Sequence, residues 1–249
     1  MVVTVNYLVA AAVLAAYLQW RGGIELGSTV VLVGGVTGFS FMVSMFLMTR
    51  ALEVSDAAVV LTAFRLSIVV PIAVSVLLWN EEISARQLAG VSMAMVSLAM
   101  MSAGTRGLGM RGLVPQAALA FSVCLLQGVS HTCVRWVHHA GLDGHELEVL
   151  LVTTGSAGLL GALVLGFAGR LPTWDGVRMG AGIGVFNALA LAIFLVTLAR
   201  MSSAQFFPIT GCAVVIMDIL FARAVWRERV SPLTAAGAAA GAGSMLLVF

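Results

Sequence analysis

Two ionisable side chains stand where hydrocarbon should surround them: Arg65 in "LTAFRLSIVVPIAV" and Asp218 in "GCAVVIMDILFARAVW". A charge at the centre of a membrane helix costs about 2.5–3.5 kcal/mol on insertion scales, so each must face a cavity or a partner rather than lipid. Arg65 lies about 14 Å from the start of its apolar run, and Asp218 about 10 Å from the end of its own. If the two helices run antiparallel, both distances are measured from one membrane face. A depth difference of about 4 Å then leaves an ion pair or a shared solute site open. In the functional reading Arg65 binds an anionic group while Asp218 takes up a proton or neutralises the empty site. In the structural reading the pair locks two helices together. A second structural reading lets Arg65 bond backbone carbonyls near Pro71 and pairs Asp218 with Arg223.

Other polar groups share the apolar runs. Ser40 and Asn187 stand beside Phe39 and Phe186. With Gln127, His131 and Asn6 they could contact a solute, or each could form a hydrogen bond between helices. Phe41, Phe206 and Phe207 could wall a pocket or fill a core. Cys124, His131, Cys133, His138, His139 and His145 offer soft and imidazole donors suited to zinc. Their spacing matches no closed structural motif, His138 and His139 fall at headgroup level, and no metal or cofactor is expected. The three cysteines all lie in apolar runs, which argues against a disulfide framework.

These residues need membrane helices to hold them. The 249-residue chain is 61% hydrophobic and 10% charged, with a mean hydropathy of +1.07. A soluble domain needs about 25% charged residues to cover its surface. Apolar runs of about 20 residues, the length that crosses a bilayer core, recur near 2–20, 28–49, 56–79, 84–104, 113–136, 146–168, 178–199, 204–225 and 231–249. The runs do not alternate polar with apolar, so an all-α membrane protein of about nine transmembrane helices is expected. The net charge of +2 says little about partners. A bilayer and a small solute are expected, and no nucleic acid. The first run lacks a basic leader and reads as a span rather than a signal peptide.

The chain repeats itself. Residues 77–90 read "LLWNEEISARQLAG" and residues 224–237 read "AVWRERVSPLTAAG", an offset of 147. The same offset joins Gly35 to Gly182, Phe39 to Phe186, Ser55 to Ser202, Glu81 to Glu228 and Gly90 to Gly237. A duplicated origin follows, with halves at 1–104 and 113–249. The run near 113–136 maps to positions before Met1, so the first half is expected to lack its first helix: either the natural start lies upstream, which is the favoured reading, or the protein works with four helices plus five. A five-helix unit starts on one membrane face and ends on the other, so its second copy inserts upside down.

A span ending near a proline, a glutamate turn, and a glycine opening a small-residue helix together resemble the EamA-type family of the drug/metabolite transporter superfamily. The first half carries the pattern as "LSIVVPIAVSVLLWNEEISARQLAG" and the second, more weakly, as "VVIMDILFARAVWRERVSPLTAAG". The resemblance implies a truncated five-plus-five inverted-repeat bundle in the cell membrane that moves small metabolites by alternating access. It implies that the spans near 28–49, 56–79, 178–199 and 204–225 line a central cavity. Two departures stand out: the absent first helix, and Asp218 where the offset meets Pro71. The rival reading is a non-transporting helical scaffold or partner subunit.

No Gly-x-Ser-x-Gly elbow, His-Glu-x-x-His motif or phosphate-binding Gly-rich loop is present, so an enzyme or an ATP-driven pump is not expected. Gly34-x-x-x-Gly38, Gly180-x-x-x-Gly184 and Gly237-x-x-x-Gly241 have the spacing of close helix contacts. The last is suited to packing within the chain or to a homodimer. The arginine distribution and the family's usual topology point to opposite orientations.

Overall fold

The computed structural model describes residues 2–55, 57–103, 113–169, 173–225, 227 and 231–248. Among them the chain forms ten helical segments and no strand. They are α1 (Val2–Arg21), α2 (Ser28–Val54), α3 (Ala57–Leu66), α4 (Val69–Leu78), α5 (Ala85–Ala103), α6 (Leu113–His139), α7 (Glu146–Phe167), α8 (Trp174–Leu198), α9 (Ser203–Val225) and α10 (Pro232–Val248). Six stretches are long and apolar enough to cross a bilayer: α1, α2, the α3–α4 span, α7, α8 and α9. Helices α5 and α10 contribute shorter apolar segments.

The expected span at 56–79 is broken, and the cause is Pro71. A proline has no N–H for the carbonyl four residues back, and its ring presses on that carbonyl. Here that carbonyl belongs to Ser67, which instead accepts from Val70 N at 3.0 Å. The Ser67 hydroxyl turns back onto the Phe64 carbonyl at 2.6 Å. The freed backbone groups are thus partly satisfied, and two ten-residue arms replace one straight helix.

The hinge serines have a local role. Ser84 Oγ accepts from Gln87 N while the Gln87 side chain accepts from Ser84 N, at 3.1 and 3.0 Å. This reciprocal cap opens α5. Ser231, its counterpart at the 147 offset, accepts from Thr234 N at 3.1 Å and opens α10. Trp226 and Glu228 of the second hinge lie outside the described residues.

The helices gather into two compact units. One comprises Met1–Met45 and Cys133–Arg200; the other comprises Phe46–Thr132 and Met201–Phe249. Each draws on both sequence halves, and α2 and α6 run through both.

In the first unit α1 packs on α7 and α8. Ala10, Leu14, Leu150 and Ala188 form its apolar centre. The glycine pairs find partners here: Gly34 and Gly38 lie on α7, and Gly180 and Gly184 on α1. In the second unit α10 packs on α5 and α9, and α9 also meets α4. Gly237 and Gly241 lie against Met101 and Ser97 of α5, so this glycine face is used within the chain.

Two of these contacts are reciprocal. A Cβ placed on Gly90 would lie 2.7 Å from Val248 Cγ1, and one on Gly237 would lie 2.9 Å from Met101 N. The 147 offset carries Gly90 to Gly237 and Met101 to Val248, so α5 and α10 run antiparallel and touch through equivalent residues. In the other unit a Cβ on Gly158 would lie 2.8 Å from Leu8 Cδ2, and one on Gly155 would lie 4.0 Å from Ala11 Cβ. The same offset carries Leu8 to Gly155 and Ala11 to Gly158.

Candidate functional site

Arg65 occupies the last turn of α3, just before the break, where a cation is favoured by the negative end of the helix dipole. Its Nη2 lies 3.6 Å from Asp218 Oδ2 on α9. The two residues singled out by depth therefore meet. Asp218 does not depend on Arg223 for a counter-ion, and the ion pair is the contact found at Arg65. The pair is uneven: the Arg65 side chain is 24% exposed and that of Asp218 is 62% exposed. The carboxylate thus keeps a face open to approach, while the guanidinium is largely enclosed.

In the same unit, Gly128 brings α6 onto Val70, the residue before Pro71. Gln127 and His131 sit one turn apart on α6, with Gln127 Nε2 3.2 Å from His131 Nε2. The His131 ring stands edge-on to Phe207 at 5.6 Å, and Phe207 in turn to Phe206 at 5.5 Å. Phe206 and Phe207 are enclosed at 1% exposure, so they are core rather than pocket wall.

In the other unit, Asn187 Nδ2 donates to Asn6 Oδ1 at 3.2 Å and joins α8 to α1. Ser40 on α2 bonds Cys133 on α6. Phe39 and Phe186 point away from the packed interior of their unit, the latter 77% exposed. Phe186 and Asn187 line a concave surface of about 570 Å³ along α8, together with Arg178, Met179, Gly182 and Ile183. Arg178 was not among the residues expected from the sequence. Its position one turn after Trp174, at the start of an apolar run, was the available signal.

Of the cysteine and histidine set, only His138 falls in a group of possible ligands among the described residues, and its neighbours there are acidic. His138 Nδ1 meets Asp143 Oδ1 at 2.6 Å across the α6–α7 turn. Glu146 joins them, with all three ligand atoms within 4.8 Å of one another. Gly141 and Gly144, at φ 70° and 96°, let this short turn close. Glu146 Oε2 also accepts from Gly144 N at 3.0 Å, so the cluster braces the turn.

Glu81, in the turn after α4, is bound across the unit to α9. Its Oε2 accepts from Ser203 N at 3.0 Å, and its Oε1 from Ser203 Oγ at 3.2 Å. The first residue of α9 is thereby tied to the hinge after α4.

Comparison with known proteins follows the same lines. A solved structure titled only "Crystal structure of protein" superposes with a TM-score of 0.80 at 17% identity, covering 99% of this chain and 87% of that one. At that identity the likeness shows the fold alone. No curated protein sequence matches the chain. Residues 1–103 match the model of the EamA-like transporter family. The chain is thus a multi-pass helical membrane protein whose residues 1–103 match the EamA-like transporter family, a family of the drug/metabolite transporter superfamily.

Proposed function

We propose that the protein is a secondary carrier of the cell membrane that moves a small organic solute by alternating access between two inverted halves, 1–104 and 113–249. The observation that carries this reading is the reciprocity of the α5–α10 and α1–α7 contacts. Equivalent residues touching in an antiparallel pair are what a two-fold axis in the membrane plane produces, and carriers built this way alternate between two near-equivalent packings.

The Arg65–Asp218 pair supports a preference for anionic solutes and a coupling to protons. With Asp218 ionised, its carboxylate occupies Arg65. A proton on Asp218 removes that charge and frees the guanidinium for a carboxylate or phosphate of the solute. The break between α3 and α4 adds to this, because the start of a half-helix within the membrane favours negative charge beside it.

The test is uptake into proteoliposomes of a panel of labelled carboxylates, amines and neutral solutes, with and without an imposed pH gradient. Carboxylate uptake driven by the gradient is expected. Asp218→Asn should abolish the dependence on the gradient, and Arg65→Gln should abolish the preference for carboxylates. If no member of the panel moves, and joint replacement of both residues by apolar ones leaves the protein folded, the pair is a structural lock and the protein a scaffold.

A further inference from the structure

The α4–α5 turn is held to α9 by more than packing. Ser75, in α4, has its carbonyl filled twice, by Trp79 N at 3.2 Å and Glu81 N at 3.0 Å. Between those donors Asn80 takes φ 52°, a left-handed conformation that asparagine tolerates better than most residues. This fold turns Glu81 back toward the bundle, where both carboxylate oxygens bond Ser203. Ser203 Oγ also lies 2.6 Å from Ser75 Oγ. Ser75 and Ser203 are both 0% exposed, so the linked hydroxyls are sealed from competing water. Ser203 starts a 23-residue helix, and a carboxylate at the positive end of a helix dipole is favoured further.

We propose that Glu81 is a latch that ties the α4–α5 turn to the start of α9, and that removing its charge lets the turn leave α9. The next residue, Glu82, is exposed and marks the contrast. At the 147 offset Glu81 corresponds to Glu228 and Ser203 to Asp56, so in sequence the hydroxyl that donates to Glu81 has no counterpart.

Distances decide this proposal, so it stands or falls apart from the carrier reading. In a background without native cysteines, spin labels at Leu78→Cys and Gln205→Cys report the separation of the α4 and α9 ends in nanodiscs. A single narrow distance is expected, and Glu82→Gln should retain it. Glu81→Gln should add a second, longer population. Ser203→Ala, which keeps the backbone N–H but loses both hydroxyl links, should add a smaller one and serves if Glu81→Gln does not fold. A cap that contributes stability alone would lower the unfolding midpoint and leave one distance in both variants. That result overturns the latch.

Discussion

Two alanine substitutions, two residues apart on α8, should change stability in opposite directions. A Cβ on Gly184 would lie 2.7 Å from the Asn6 carbonyl oxygen, 2.8 Å from Val9 Cβ and 3.0 Å from Val9 Cγ1. Two of these three neighbours are backbone or the first side-chain carbon, so rotamer changes cannot make room. Helices α1 and α8 must separate instead, by roughly 1 Å if carbon contacts are to return to about 3.5–4.0 Å. Overpacking of this kind costs about 1–3 kcal/mol. Replacing a helical glycine returns about 1 kcal/mol, leaving a net loss of up to about 2 kcal/mol for Gly184→Ala. The same shift would stretch the Asn187–Asn6 bond beyond its 3.2 Å. A Cβ on Gly182 meets nothing within 4 Å. Gly182→Ala should therefore gain about 0.5–1 kcal/mol from backbone entropy alone. Reversible unfolding in mixed micelles, followed by circular dichroism, should separate the variants by about 2 kcal/mol, near 30-fold in the unfolding constant. Equal stability of the two variants would refute the placement of α1 against α8.

Two further outcomes follow from the charged pair and the broken span. Arg65→Gln and Asp218→Asn should each destabilise the protein, while the double variant should lose less than the sum by more than the roughly 0.5 kcal/mol scatter of independent sites. The coupling should stay modest because Asp218 is 62% exposed, and strict additivity would show that the pair does not interact. Pro71→Ala supplies the missing N–H and should join α3 to α4. Amide exchange at residues 68–72 should slow, and unchanged exchange would show that something other than the proline breaks the span.

The spans were legible because hydrocarbon thickness sets a length that composition alone reveals: the expected runs fall on helical segments, that at 56–79 on two, and six stretches among the described residues are long and apolar enough to cross. The meeting of Arg65 and Asp218 was within reach of depth arithmetic, since a 1.5 Å rise converts position into height. Partners were less accessible. Gly-x-x-x-Gly announces a close approach but not whose backbone approaches, so the pairing of Gly34 with α7 and Gly184 with α1 needed coordinates. The break at Ser67–Ile68 follows from Pro71, yet membrane helices often absorb a proline, and its effect depends on which local bonds replace the lost one. Glu81 looked like an interfacial charge because Ser203 lies 122 residues away in sequence.

Under the proposed inverted repeat, the helix contacts and the charged pair divide the residues related by the 147 offset between them in a way that physics accounts for. Where α5 and α10 touch, each offers a glycine opposite a larger residue of its partner: Gly90 lies against Val248, and Gly237 against Met101. Where charges meet, likeness would be a fault. Two copies of Arg65 would repel, and two copies of Asp218 would each need a counter-ion within the membrane. At the 147 offset Arg65 meets Cys212 and Asp218 meets Pro71, so each half supplies one charge and the other half an uncharged residue. Pro71 breaks its own span next to the guanidinium, while α9 continues unbroken through Asp218. A frame of reciprocal contacts can therefore carry an unequal centre, and under the proposed inverted repeat that inequality lets one ion pair form between repeat-related helices.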